Sequence, residues 1–153
     1  MEASAAWRPN GGLIASTQNE VRSGPQDARK SGKYDVVFFE RNGLRHGEFS
    51  LRRPLEDDGS GYKVKDLVWS PDSAVLAVWI EKLDGDVVQL WTTGNYHWYH
   101  DQFHAFSFVD IYYRYLKQEF RAPGDSHFTS VVWHPESTLR LLTTTACKLF
   151  CIQ

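Results

Sequence analysis

The stretch that decides the fold of this chain is Val68–Ala77, which reads VWSPDSAVLA. Its first residues are β-formers, and Ser70–Ser73 combines a proline of fixed φ with side chains that stabilise a turn. Val75–Ile80 then runs apolar without alternation, as a strand buried on both faces does. The stretch therefore predicts a β-hairpin whose second strand is buried on both sides.

The same hairpin pattern occurs in two further places. Ala6–Ala15 reads AWRPNGGLIA and Val132–Leu141 reads VWHPESTLRL, so each copy has Trp, then Pro two positions later, a polar turn and a second run containing apolar residues. Trp7, Trp69 and Trp133 are separated by 62 and 64 residues. A unit that recurs at a nearly fixed interval is the signature of a repeat architecture.

Further strands follow each hairpin in the predicted repeat. The third strands are Asp35–Glu40, Asp86–Trp91 and Lys148–Ile152. Fourth strands are predicted in two copies, at Leu44–Leu51 and Tyr96–Phe103. Four consecutive antiparallel strands are the blade of a β-propeller.

The fold prediction is an all-β chain, a partial WD-repeat β-propeller of about three antiparallel blades with the last incomplete. One domain is expected over residues 1–153, with blades at about 3–51, 62–103 and 126–152 and an insert at about 100–115. A β-sandwich with a coincidental similarity among turns is the alternative. Three blades leave edge strands open, so we expect the chain alone to be poorly soluble or to depend on a partner.

Composition narrows the function classes. A net charge of −2 compels neither a nucleic-acid nor a membrane partner. The run Val75–Ile80 is far shorter than the roughly 20 residues that span a bilayer, and the first twelve residues do not resemble a secretory signal. No phosphate-binding glycine loop or nucleophile elbow occurs, so neither a cofactor nor catalysis is expected. The expected location is the cytoplasm, with the nucleus in addition.

Two groups of residues contain side chains of the types that bind metals. Three imidazoles and a carboxylate, which zinc would accept, occur close together, although surface histidines are the favoured interpretation: His97, His100, Asp101 and His104. Cys147 and Cys151 are four apart on a predicted strand and would face the same side. No second cysteine pair exists, so we expect free thiols and no metal.

Two segments suggest binding surfaces, each with a plainer alternative. One is a loosely basic set that could meet RNA phosphates or could form a solvated loop: Arg22, Arg29, Lys30, Lys33, Arg52 and Arg53. The other is the aromatic segment Phe103–Phe120, which predicts either a docking surface or an insert that packs poorly. A short helix there would place Ile111, Tyr115 and Gln118 on one face.

Parts of the sequence resemble a known family. Trp7–Gln18, Val36–Phe49 and Asp66–Trp98 are similar to the N-terminal propeller of the Elongator complex protein 1 family, the large scaffold subunits of the Elongator complex. The most specific pieces are Val78–Trp79, Gln89–Thr92 and Gly94–Tyr99, which read VW, QLWT and GNYHWY. The resemblance extends over Trp7–Tyr99 and again from Leu116 to about Thr145, leaving 100–115 and 146–153 without a counterpart.

The resemblance implies a WD-repeat scaffold without an active site of its own. It implies partnership with a catalytic acetyltransferase-like subunit and with a second WD-repeat subunit. The family's complex modifies the wobble uridine of transfer RNA at carbon 5, so tRNA would be an indirect partner. A generic WD-repeat adaptor outside Elongator, or a propeller module that binds RNA directly, is the alternative.

Overall fold

The computed structural model describes residues 4–20, 33–52, 61–93 and 114–152. Within these ranges the chain forms eleven strands and one short 3-10 helix at Pro123–Asp125. The first sheet contains β1 (Ala5–Trp7), β2 (Leu13–Glu20), β3 (Lys33–Glu40) and β4 (Arg45–Ser50). The second sheet contains β5 (Tyr62–Trp69), β6 (Val75–Lys82), β7 (Val87–Thr93) and β8 (Arg114–Arg121). The third sheet contains β9 (Ser130–His134), β10 (Ser137–Thr144) and β11 (Leu149–Ile152).

The topology is that of successive propeller blades. In every sheet each strand pairs antiparallel with the next strand in the chain. The first strands contact one another in order, β1 with β5 and β5 with β9. The predicted partial propeller with an incomplete last blade is confirmed: the third sheet has three strands, and the array is not closed within the described residues.

The fourth strand of the second sheet lies elsewhere than predicted. β8 pairs with β7 from Thr93 opposite Arg114 to Val87 opposite Arg121, whereas the sequence predicted Tyr96–Phe103, a segment outside the described residues. The prediction favoured that segment because it is rich in aromatic β-formers, whereas the sequence of β8 is mostly polar. Where a strand forms depends on pairing with a neighbouring strand, which residue type alone does not show.

The predicted helical face is wrong for two of its three residues. Tyr115 and Gln118 lie in the extended strand β8, where residues three apart do not share a face. The third residue, Ile111, lies outside the described part of the chain.

The hairpin turn at Ser70–Ser73 is held by its own side chains. Ser70 Oγ donates to Asp72 Oδ1 over 2.6 Å and accepts from the Val75 N–H over 2.9 Å. Asp72 Oδ1 also accepts from the Ala74 N–H. Ser73 adopts a φ of 65°, which few non-glycine residues tolerate. The sequence prediction of a turn at this place is confirmed.

The core consists of two clusters, one on each side of the second sheet. Leu76, Val78 and Ile80 belong to the cluster shared with the first sheet, while Ala77 and Trp79 belong to the cluster shared with the third. All five are buried. The unbroken apolar run of β6 thus has the predicted cause, since both faces of the strand pack against a neighbouring sheet.

A buried carboxylate fixes the path from the second sheet to the third. Asp86 Oδ2 accepts hydrogen bonds from Trp79 Nε1 over 2.8 Å and from the Phe128 N–H over 2.9 Å. Asp86 Oδ1 lies 2.7 Å from His127 Nδ1. The Asp86 main chain is bonded as well, to the Ala122 N–H and to the Ser126 carbonyl. Residues 122–128 are therefore tied to the start of β7 before β9 begins.

Truncation inside the first cluster tests the packing of β6. Leu76 is fully buried, so Leu76→Ala should lower the free energy of unfolding by about 2–5 kcal/mol through lost burial and a residual cavity. Leu83→Ala is the matched control, because Leu83 is 82% exposed and its truncation should change stability by less than about 0.5 kcal/mol. Denaturant titration followed by circular dichroism measures both, and equal losses would contradict the buried position of Leu76.

Replacement of Asp86 tests the buried acceptor. Asp86→Ala leaves the Trp79 indole and the Phe128 amide without an acceptor, and we expect a loss of about 3 kcal/mol in the free energy of unfolding. Asp86→Asn keeps one carbonyl oxygen and should cost roughly half as much. Thermal and urea unfolding compare the two variants, and an Asn variant as unstable as the Ala variant would argue against the hydrogen-bonded arrangement.

Candidate interaction site

Each sheet presents a row of three apolar side chains that begins with the tryptophan of the repeat; we call it the leading row. Strand register places its members side by side on the first three strands of the sheet. In the second and third sheets these residues belong to the core clusters and pack towards the preceding sheet. The leading rows are Trp7–Ile14–Phe39, Trp69–Leu76–Trp91 and Trp133–Leu141–Ile152.

The opposite face of each sheet carries a second row, the trailing row, one residue earlier on the first strand. The trailing rows of the first two sheets receive the leading row of the sheet that follows. Alanine occupies the middle position in both, which leaves room for the large side chains of the partner row. The trailing rows are Ala6–Ala15–Phe38, Val68–Ala77–Leu90 and Val132–Leu142–Cys151.

The same hydrogen bond recurs at both junctions between sheets. Trp69 Nε1 donates to the carbonyl of Ala6 over 3.3 Å, and Trp133 Nε1 donates to the carbonyl of Val68 over 3.0 Å. Each acceptor is the residue directly before the tryptophan of the preceding sheet. The sequence singled out these tryptophans as repeat markers, but their donor role depends on which strand lies opposite and has no local signal.

The turn after β1 is fastened to the turn after β5. Arg8 Nε and Nη2 donate to the carbonyl of Ser73 over 3.0 and 2.8 Å, and the Asn10 N–H donates to Ser73 Oγ over 3.1 Å. The Arg8 guanidinium also lies 5.3 Å from the centre of the Trp69 ring, within the range of a cation–π contact. The positive φ of Ser73 thus sits where the first two sheets are joined.

The outer part of the first junction is aromatic and neutral. The rings of Phe49 and Trp91 have centroids 4.5 Å apart, and those of Tyr34 and Tyr62 are 5.2 Å apart. Burial raises the pKa of the Tyr34 phenol above its ordinary value, so the group is neutral at physiological pH.

A buried amide links the second sheet to the chain that leaves the first. Gln89 Nε2 donates to the Arg52 carbonyl over 2.9 Å and to Glu119 Oε2 over 2.7 Å. Its Oε1 accepts from Trp91 Nε1 over 3.2 Å. Both the nitrogen and the oxygen of the Gln89 amide are therefore hydrogen-bonded. The residue joins three segments: the residue after β4 that supplies the carbonyl, strand β7 and strand β8.

An open groove of about 460 Å³ lies beside the β1–β2 and β3–β4 turns; we call it the first-sheet groove. Its acidic member, Glu40, already faces two polar neighbours: Oε1 lies 3.2 Å from His46 Nδ1, and Oε2 accepts from Asn42 Nδ2 over 3.4 Å. Arg41 is exposed at the same place. The groove suits contact with an extended polar segment better than enclosure of a small apolar ligand. It is lined by Arg8, Gly12, Leu13, Glu40, Arg41, Asn42 and His46.

Of the candidate metal ligands, only the two cysteines lie within the described residues. The histidine group of residues 97–104 lies outside the described residues, and the described part of the chain contains no group of three metal-ligating side chains. Cys147 lies in the turn between β10 and β11 and not on a strand, so the prediction that it shares a strand face with Cys151 is wrong. The turn residues end β10 before Cys147 is reached. Both cysteines are free and exposed.

The basic and aromatic segments are only partly described. Arg22, Arg29, Lys30 and Arg53 lie outside the described ranges, so direct RNA contact stays a sequence prediction. Of the aromatic segment, Phe120 packs against the second core cluster and serves the fold. Among the helices that the structure describes, none is long and apolar enough to cross a membrane.

Comparison with known proteins identifies the family. The family described as "ELP1 first N-terminal beta-propeller" matches residues 1–109. Elongator complex protein 1 of Oryctolagus cuniculus is 43% identical over 143 residues, which is 89% of this chain. The proteins of the same name from Saccharomyces cerevisiae and Arabidopsis thaliana are 40% and 30% identical over 93% and 89% of the chain.

These similarities concern a small part of each relative. The chain spans 9% of the rabbit protein and 8% of the yeast and plant proteins. The family match nevertheless includes the first two hairpins on which the blade prediction depended, and the structure forms the antiparallel sheets that a propeller requires. The chain therefore belongs to the Elongator complex protein 1 family, whose first N-terminal β-propeller its residues 1–109 match.

Proposed function

We propose that this chain acts as a non-catalytic scaffold segment of the Elongator large-subunit family, supporting modification of the wobble uridine of tRNA through contacts with other proteins. The observation that carries the proposal is the family match over residues 1–109, which contain the four strands of the first sheet and the first three strands of the second. In this proposal tRNA is an indirect partner, and the chemistry is supplied by a separate catalytic subunit.

The use of the buried polar groups supports a structural role. Asp86 and Gln89 are fully buried and have their polar atoms bonded to groups of the fold. The buried Lys82 ammonium lies 3.2 Å from Asp84, whose carboxylate also accepts from Arg121 over 2.8 Å. These polar residues join strands and sheets, so the fold explains why they are buried and no catalytic role is needed to explain it.

The surface offers a place for a protein partner. In the first-sheet groove the carboxylate of Glu40 is occupied by neighbouring side chains, while Arg41 is exposed on the turn between β3 and β4. A guanidinium on a projecting turn binds carboxylates with two parallel hydrogen bonds. We therefore expect an acidic segment of another Elongator subunit, either the catalytic acetyltransferase-like subunit or the second WD-repeat subunit, to contact this groove.

The compartment is part of the proposal. Cys147 and Cys151 are free and exposed, a state that persists in the reducing cytoplasm and nucleus more readily than in an oxidising compartment. We place the chain in the cytoplasm, with the nucleus as a second location.

Co-purification tests the scaffold role. Affinity-tagged chain expressed in its own cells should bring down the catalytic subunit, and quantitative mass spectrometry measures the yield. Arg41→Glu should reduce that yield about threefold to tenfold, because it reverses the charge that faces the partner. Arg140→Glu is the matched control, since Arg140 is also exposed but lies on the third sheet.

Two results would count against the proposal. Absence of every Elongator subunit from the purified material would argue against membership in the assembly. An equal yield from both arginine variants would leave the scaffold role standing and would remove the first-sheet groove as the contact.

A further inference from the structure

We propose that Asn42, on the turn between β3 and β4, is a modification site: it loses its side-chain amide without an enzyme, and the carboxylate that forms weakens the contact of the first-sheet groove with an acidic partner. The loss of the amide follows from the chemistry of this chain alone. The weakened contact rests on the proposed function, which assigns an acidic segment to the neighbouring Arg41.

The reaction requires an asparagine followed by a small residue. The sequence contains two such Asn-Gly pairs, Asn10–Gly11 and Asn42–Gly43. Asparagine is thermolabile, and a following glycine has no Cβ to hinder attack by its main-chain nitrogen. That nitrogen loses its proton and forms a bond to Cγ of the asparagine, while the side-chain nitrogen leaves as ammonia. Water then opens the cyclic imide at either carbonyl, which gives aspartate or isoaspartate with one new negative charge.

The two Asn-Gly turns have the same local hydrogen bonds, so one serves as the reference for the other. In each turn the asparagine Oδ1 accepts from the main-chain N–H two positions later, over 3.0 Å at Gly12 and 2.9 Å at Leu44. In each turn the glycine N–H donates to the carbonyl three positions earlier, over 2.8 and 2.9 Å. The attacking nitrogen is therefore released when the turn opens.

Opening of the first turn disrupts the junction between two sheets. The main-chain N–H of Asn10 donates to Ser73 Oγ, and the nearby Arg8 guanidinium donates twice to the Ser73 carbonyl. Gly11, which supplies the attacking nitrogen, is half-buried. This turn is consequently held closed by contacts with the second sheet, and Asn10 should react slowly.

The turn that contains Asn42 is held by hydrogen bonds within one hairpin. The Asn42 amide nitrogen donates to Glu40 Oε2 over a long 3.4 Å, and both Asn42 and Gly43 are exposed. Exposed turns with few buried contacts are the parts of a fold that open most readily. Asn42 should therefore react first.

The product changes the charge of the first-sheet groove, which Asn42 lines. A carboxylate at position 42 lies beside that of Glu40, and the hydrogen bond between the two side chains is lost. The new negative charge also lies next to Arg41 in the chain. An acidic partner segment then meets like charge where it met a guanidinium, so its affinity falls.

Peptide mapping by mass spectrometry tests the reaction in the folded chain. After incubation in mildly alkaline buffer, Asn42 should have converted about tenfold faster than Asn10, because opening of the Asn10 turn breaks hydrogen bonds to a charged group. Arg8→Ala removes those bonds and should accelerate conversion of Asn10, while Asn42 stays within about twofold of its former rate. Circular dichroism confirms that the variant is folded.

A matched pair of variants assigns the modified position. Asn42→Gln should remove most of the modification, because glutamine forms its cyclic imide far more slowly, whereas Asn10→Gln should remove little. Two results would overturn the modification site. One is conversion of Asn10 as fast as Asn42; the other is an unmodified Asn42 after a free peptide of residues 38–47 has converted completely.

The Asn42→Asp variant tests the weakened contact. It supplies the charge of the product and keeps an acceptor for the Leu44 N–H, so the co-purified yield of the catalytic subunit should fall about threefold. Gln18→Glu makes the same amide-to-carboxylate change at an exposed position that does not line the groove, and it should not alter the yield. An unchanged yield from Asn42→Asp would overturn the weakened contact when Arg41→Glu lowers the yield. Unchanged yields from both would remove the groove contact itself.

Discussion

The hydrogen bond from a tryptophan indole to the carbonyl of the preceding sheet organises this structure. A single repeat unit cannot bury its apolar face alone, and stacking against the neighbouring sheet supplies a continuous core. The Trp69 and Trp133 indoles fix how each sheet is placed against the preceding one, because each indole N–H reaches one particular carbonyl on the first strand of that preceding sheet. The large indole rings contribute apolar burial at the same point.

Other features of the junctions depend on this register. Arg8 reaches the Ser73 carbonyl because β1 and β5 lie side by side at the height that the Trp69 contact fixes. The Asp86 carboxylate has a comparable role at the second junction, where it gathers an indole, a main-chain amide and a histidine. Polar groups thus specify how the sheets are placed, while apolar clusters supply most of the stabilisation.

The sequence predicted the features that depend on neighbouring residues. The Trp-x-Pro hairpins, the double-sided burial of β6 and the third strand of each repeat arise from local turn chemistry and hydrophobic pattern. The position of β8 did not follow, because its pairing with β7 joins residues on either side of a long intervening segment. Arg8 and Gln89 were missed as junction residues for the same reason: Arg8 and its acceptor Ser73 are 65 positions apart.

The middle residue of the trailing row has a consequence for the spacing of the sheets. Ala15 and Ala77 are fully buried at the first two junctions, and their methyl groups allow the next sheet to approach closely at its centre. In the third sheet Leu142 stands at that position, while the outer residue is the smaller Cys151. The trailing row of the third sheet therefore carries its bulkiest side chain at the centre, whereas the other two rows carry alanine there. A flat apolar surface could approach the centre of the first two rows closely, but on the third it would first meet the branched side chain of Leu142.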